Sequence, residues 1–273
     1  MKVTCMVDDA VDGRSLYWGE HGVSFLIETA QRRVLFDSGQ SGTVLLHNLK
    51  LAAIEPRSID AIAISHAHFD HTGGLESLLA QTGVKPLYAH PDLFRERFAR
   101  HEGEIKKIGP AMSLEQLKGQ AELRLTDQPQ EILPGVYTSG EITVRAELEG
   151  RSPRHMIREG NGWVADPYRD DMSIVLKVAD GLVLVCGCCH AGLLNTLQHV
   201  RNHFAGEIKA VLGGTHLTDV KDEQMLHILE VLRGYGPPRL YPNHCTGLRA
   251  YMALAVGFGG LVAPCPAGTV LTF

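Results

Sequence analysis

The stretch AISHAHFDHTGGLE, residues 63–76, constrains the fold of this chain more than any other. The apolar run IDAIAIS, residues 59–65, leads directly into three imidazoles and a carboxylate within six positions: His66, His68, Asp70 and His71. Residues two apart in an extended segment point the same way, so His66 and His68 can grip one ion together. Thr72-Gly73-Gly74 then turns the chain where glycine permits a close backbone approach. Imidazole nitrogen with carboxylate oxygen suits zinc, iron or manganese. Asp70 and His71, just past the first pair, face a second ion if the centre holds two. Such a centre clamps the attacking and leaving oxygens of a displacement.

The remote half of the site follows from how strands end. LVLVCGCC runs into His190, IKAVLGGT into His216 and RLYPN into His244. Ligand sites in α/β layers collect at the carboxyl ends of strands, where the loops share an edge, so four such ends with imidazoles predict one convergent site. His199 and His203, four apart on a helix, carry no carboxylate motif and read as an exposed face. His21, His47, His101, His155 and His227 read singly as surface or core-edge residues, and His90, at the end of KPLYAH, as a neighbour of the site.

The surrounding pattern is α/β. SFLIE and RVLFD form a hairpin; GTVLLHNLKLAAI, GLESLLAQTG and PDLFRERFAR read as helices, and KPLYAH as a strand. After Asp171, MSIVLKV and GLVLVCG flank the turn Ala179-Asp180-Gly181. Helices then alternate with the strands IKAVLGG, RLYPNHC and AGTVLTF. Both halves thus open on hairpins and continue in strand–helix alternation, which suits two mixed sheets packed face to face with helices outside. The span 1–273 reads as one domain, with a loop-rich, insert-like segment at about 101–170 that contains the strand candidates AELRLT, GVYTSG and ITVRAEL.

Composition limits the partners. Hydrophobic residues make up 44% and charged residues 21%, with a net charge of −5 and no dense Lys/Arg run. Nucleic acid is therefore a poor partner. No run of about 18 apolar residues marks a membrane helix, and the N-terminus lacks a signal-like apolar core. The expected location is cytoplasmic, with six reduced cysteines.

SHAHFDHTGGL resembles the signature of the metallo-β-lactamase superfamily, and VLFDSG its first motif. EHGVSFLIE, LFDSGQSGTVLLHN, DDMSIVLKVADGLVLVCGCCHAGLLNTL, GGTHL and HCTG narrow the resemblance to metal-dependent hydrolases similar to dihydropteroate synthase-like enzymes of methanopterin biosynthesis. The resemblance implies a four-layered αββα sandwich. It also implies a centre of one or two divalent ions, zinc foremost and iron or manganese as alternatives. His66 and His68 match ligands of the first metal, Asp70 and His71 those of the second, and Asp37 an anchor behind them. Where the superfamily places a bridging aspartate the chain reads Cys188-Cys189-His190, and His190 is taken as the replacement ligand. His244 matches the final ligand, with His216 as its competitor and otherwise an acid/base or substrate-contacting group. Glu141 and His155 are candidates for an unmatched middle histidine, and Cys188 and Cys189 for soft-metal ligands.

The expected function is a metal-dependent hydrolase or transferase acting on an anionic, phosphorylated small molecule, through metal-activated water or a metal-stabilised leaving group, with Asp70 and His216 catalytic. In the resembled enzymes an aminobenzene ribofuranoside phosphate joins a pterin diphosphate. The alternatives are a di-iron protein handling electrons, oxygen or nitric oxide, and a metal-binding sensor. A small anionic substrate is the expected partner, without nucleic acid or membrane; a homo-oligomer is allowed.

Overall fold

A computed structural model describes all 273 residues. Its first sheet has seven strands in the order Val270–Thr272, Lys2–Val7, Ser24–Glu28, Arg33–Phe36, Ala61–Ala63, Lys85–Ala89 and Ala121–Leu125. Its second has six, Arg239–Pro242, Ile208–Gly213, Gly181–Cys186, Ser173–Val178, Val136–Thr138 and Glu131–Leu133. Each mixes antiparallel hairpins with parallel strands.

Alternation within the strands builds the layers. Phe25, Ile27, Val34 and Phe36 of the first sheet meet Ile174, Leu176, Val183 and Val185 of the second in one buried cluster. The intervening residues Leu26, Leu35, Ile62 and Leu87 face away, onto the helices Gly42–Leu51 and Leu75–Thr82. On the other side, Leu182, Leu184 and Val211 pack on the helices Leu193–His203, Asp222–Gly234 and Leu248–Phe258. A period-two strand with both faces covered accounts for the uninterrupted apolar runs. The result is the αββα sandwich. No helix is long and apolar enough to cross a membrane.

The sequence reading of residues 91–170 is corrected in several places. PDLFRERFAR is not a helix: it forms a 3-10 turn, Pro91–Phe94, and a strand, Arg97–His101. That strand pairs with Glu104–Gly109 and His155–Glu159, which in turn pairs with Gly162–Ala165, in a third, four-stranded sheet within the segment read as loop. The extended backbone lets Arg97 reach inward, where Asp92, Asp166 and Asp170 surround its fully buried guanidinium. These partners are distant in sequence, so helical periodicity at 91–100 was an unreliable guide. ITVRAEL forms no strand; Arg145 within it bonds instead to the carbonyls of Ile142, Pro167 and Tyr168.

Candidate metal centre

The carboxyl ends of six strands meet at one edge of the sandwich. Lys2–Val7 delivers Asp8 and Asp9, and Arg33–Phe36 delivers Asp37; Ala61–Ala63 leads to His66 through His71. From the second sheet, Gly181–Cys186 leads to Cys188 and His190, Ile208–Gly213 to His216, and Arg239–Pro242 to His244. Non-glycine residues with left-handed backbone gather here: Asp37 (φ 59°), Cys189 (φ 54°), His216 (φ 48°) and His244 (φ 45°). Such conformations persist where surrounding structure enforces them, and they cluster at functional sites.

Two donor triads stand side by side. One comprises His66, His68 and His190, and the other Asp70, His71 and His244; in each, one donor atom per residue lies within 4.8 Å of the others. In the first, His66 Nε2 and His68 Nδ1 are 3.0 Å apart. In the second, Asp70 Oδ2 lies 3.4 Å from His71 Nε2 and 3.2 Å from His244 Nε2.

The far side of nearly every ring is held by another group. His66 Nδ1 meets Ser65 Oγ at 2.9 Å and His71 Nδ1 meets Asp37 Oδ2 at 2.7 Å. His190 Nδ1 donates to the Gly150 carbonyl at 2.8 Å, and His244 Nδ1 meets Asp9 Oδ1 at 2.7 Å. Metal-ligating histidines are oriented in this way, with one nitrogen on an outer partner and the other turned to the ion. His190 Nε2 and His68 Nε2 are buried without any protein partner. Unpaired polar atoms at such depth are costly; a divalent cation in the first triad would satisfy His190 Nε2, whereas His68 turns Nδ1, not Nε2, toward His66.

The two triads differ electrostatically. Burial holds the imidazoles of His66, His68 and His190 well below the ordinary histidine range, so they are neutral and ready to ligate. In the second triad burial opposes charge, but Asp70 and Asp37 push His71 up to about 9. Burial likewise opposes charge on His244, yet Cys245, Asp70 and Asp9 raise it well above the usual range. Asp70 is held well below the carboxylate range by His71 and His244, against burial.

Asp37 also accepts from the Ser65 backbone N–H and hydroxyl, both at 2.7 Å, joining the first sheet's motif strand to His71. Gly187 leaves room for this network: a Cβ there would meet Ser65 Oγ at 2.3 Å and Asp37 Oδ2 at 3.1 Å. Gly187→Ala is expected to destabilise the protein by about 1–3 kcal/mol, the usual cost of overpacking, and to lower its metal content. Thermal unfolding and metal analysis check this; wild-type metal binding with unchanged stability would contradict it.

His66, His68, Asp70, His71, His190 and His244 are thus brought together, with Asp37 behind them. The sequence places His190 between the two ligand pairs; the structure seats it beside His66 and His68, as the third imidazole of that triad. His190 thus stands as a third imidazole beside the pair for which the sequence pattern offered no middle histidine. Glu141 lies elsewhere, paired with His90 and Arg169. His90 also caps the Pro91–Phe94 turn, accepting from the Asp92 N–H. His155 lies outside both triads, held by the Tyr168 hydroxyl at 2.8 Å. His216 is also outside them, its ring 4.4 Å from that of His190.

His21, His155 and His216 line, with members of both triads, a cavity of about 140 Å³. His21 and His155 are therefore not merely surface residues. His199 is also buried: the inward face of its helix is wide, and its Nε2 meets the Ser139 carbonyl at 2.8 Å, whereas His203 is exposed. Sequence reasoning missed Asp9, which orients His244. The strand-end rule that found the histidines finds Asp8 and Asp9 too when applied to carboxylates after KVTCMV.

A two-sheet sandwich with two donor triads at the strand ends defines a metallohydrolase-like fold. The family model for the metallo-beta-lactamase superfamily matches residues 17–189, and the chain belongs to that superfamily. It is 32% identical over 264 residues to the 7,8-dihydropterin-6-methyl-4-(beta-D-ribofuranosyl)-aminobenzene-5'-phosphate synthase of Methanocaldococcus jannaschii, covering 92% of this chain and 89% of that one. Among solved structures, Tm1679, a metal-dependent hydrolase of the beta-lactamase superfamily, matches with a TM-score of 0.86 and 25% identity, over 100% of this chain and 99% of that one. Zn(2+)-bound PqqB from Methylobacterium extorquens shares the fold at a TM-score of 0.62 and 12% identity, over the whole of both chains.

Proposed function

We propose that this protein is a metal-dependent enzyme that hydrolyses, or transfers a group from, an anionic phosphorylated small molecule. The observation that carries the reading is the pair of donor triads on one cavity wall, with His155 and His216 beside them and outside the ligand set. Divalent metal bound there supplies a Lewis acid that neutralises developing negative charge and lowers the pKa of water. His66, His68 and His190 hold one ion, and Asp70, His71 and His244 a second. Asp9, Asp37, Ser65 and the Gly150 carbonyl keep those ligands in place. His216 donates a proton to the leaving oxygen. Burial, with His216 and Arg154 nearby, lowers His155 to about 4, so at neutral pH it acts as an uncharged hydrogen-bonding group.

Size separates the reacting group from the rest of the substrate. The 140 Å³ cavity holds a phosphate-sized group but lies below the roughly 300–1,000 Å³ of sites that enclose a whole small molecule. A neighbouring cavity of about 460 Å³ shares His244 with it and is lined by Asp8, Asp9, Asp12, Leu248, Tyr251 and Pro266, among others. Its carboxylates and apolar surface suit a flat ring bearing N–H donors. The Methanocaldococcus jannaschii relative is named for a dihydropterin product, and a pterin ring has that character. The helix N-termini favour no phosphate: the one at Leu248 opens onto those aspartates, and Gly192, before Leu193, is packed against the Leu148 carbonyl.

The test is a screen of zinc- and manganese-loaded protein against aryl phosphomonoesters, phosphodiesters and lactones, with and without a pterin co-substrate. Turnover of a phosphorylated compound, abolished by chelation and restored by metal, is expected. Metal-independent turnover, or none on any compound, overturns the reading.

A further inference from the structure

We infer that the inner face of the third sheet holds a second anion position, where Lys106, with His155 beside it, receives a phosphate of the substrate remote from the reacting one. This rests on the proposed function above and narrows its substrate class to compounds with two separated phosphates. No lysine or arginine lines the 140 Å³ cavity. None lines the neighbouring 460 Å³ cavity either, which presents Asp8, Asp9 and Asp12. An anion extending past the metals on that side meets negative charge. On the other side stands the third sheet.

Strand register sets which residues of that sheet face the cavity. His155 lies opposite Ala99, and Ala99 opposite Lys106, on three adjacent strands. Residues paired in this way project from one face of a sheet. Arg97, two positions before Ala99, identifies that face as the inner one, because its guanidinium is buried among Asp92, Asp166 and Asp170. His155 lines the cavity, and so does Ile108, at the register shift beside Arg97. Lys106 is two residues further along the Ile108 strand, about 7 Å out, and two strand spacings, roughly 10 Å, from His155. Only the methyl group of Ala99 stands between the two, so the groove is open and the flexible lysine stem can carry its ammonium over it. Lys106 meets Glu104 at 3.3 Å, but these side chains are 69% and 73% exposed. A pair so exposed is held weakly, and a dianionic phosphate competes for the ammonium. His155 Nδ1 is taken by the Tyr168 hydroxyl, which leaves Nε2 for a ligand. Lys107 falls on the outer face beside Phe98 and pairs with Glu96.

The probes are hexyl phosphate and hexane-1,6-diol bisphosphate, which differ only in the second phosphate, titrated calorimetrically into zinc-loaded protein. The bisphosphate is expected to bind wild type about fivefold or more tightly than the monophosphate. Lys106→Ala is expected to bring the two within about twofold, mainly by weakening the bisphosphate. Lys106→Arg and Lys107→Ala are expected to keep the wild-type difference. Equal affinities in wild type, a difference that survives Lys106→Ala, or one lost equally in Lys107→Ala overturns the inference and leaves the metal-enzyme reading standing. Zinc-loaded wild type that binds neither compound overturns both. Lys106 is exposed and outside the core, and the wild-type comparison does not depend on how any variant folds.

Discussion

Replacing His190 with alanine is expected to remove metal from the three-imidazole triad and to lower turnover of a phosphorylated substrate by about 10²–10³-fold or more. His190 Nδ1 is fixed on the Gly150 carbonyl and its Nε2 has no other partner, so no nearby group replaces it. The fall in metal affinity should exceed the roughly 10–100-fold typical of an outer-shell partner. His155→Ala and His216→Ala distinguish a ligand from a cavity wall. Both are expected to keep the metal, and His216→Ala to lower kcat. Metal content by elemental analysis, read beside the kinetics, decides between them. Full metal occupancy in His190→Ala would refute its place in the triad.

Arg97→Met is expected to destabilise the protein by about 3–5 kcal/mol near neutral pH, the usual consequence of removing one partner from a buried ion cluster. The guanidinium bonds Asp170 at 2.7 Å, Asp92 at 3.1 Å and the carbonyls of Asp92 and Arg95, and faces Asp166 at 3.1 Å. Arg95 also pairs with Asp92, at 2.9 Å, but only Arg97 pairs with Asp166 and Asp170. The defect should be pH-dependent. Burial raises Asp166 above the ordinary carboxylate range and Asp170 to about 7, even with Arg97 opposing it. A carboxyl whose pKa is higher in the folded state takes up a proton on folding. Its contribution to stability is therefore complete below the unfolded value of about 3.9 and lost as pH rises through the folded value. Without Arg97 the folded values rise further, so the defect should widen as pH rises above about 7, where wild-type Asp170 ionises while the variant's stays protonated, and change less between pH 4 and 7. Urea unfolding across that range checks the sign. A variant within about 1 kcal/mol of wild type at pH 8 would show that the cluster contributes little.

The Arg97 cluster also bears on the site. Asp170 uses its second oxygen to accept from the Ala67 N–H at 2.9 Å, between His66 and His68. The third sheet is thus tied to the metal loop through one buried guanidinium and one carboxylate. Arg97→Met is accordingly expected to weaken metal binding as well as stability.

His66, His68, Asp70 and His71 are legible because they are local: a strand followed by a tight turn forces their side chains to one edge whatever the rest of the chain does. The αββα order was also legible, since apolar runs flanked by amphipathic helices have few ways to cover both faces of two sheets. The third sheet was not, because its strands at 97–109 and 155–165 are short, polar and paired across more than forty residues. Arg97 shows the cause: its side chain is buried by partners up to 73 positions away.

By itself the sequence determined that candidate metal ligands gather at strand ends, because residue type and local periodicity carry that information. Tertiary structure decided which ligand serves which triad. His190 and Cys188 are two residues apart on one loop after one strand, yet the left-handed backbone at Cys189 between them sends the imidazole to His66 and His68 and the thiol toward His71. Spacing alone cannot set that division, because it depends on how two sheets, contributed by distant parts of the chain, pack against each other.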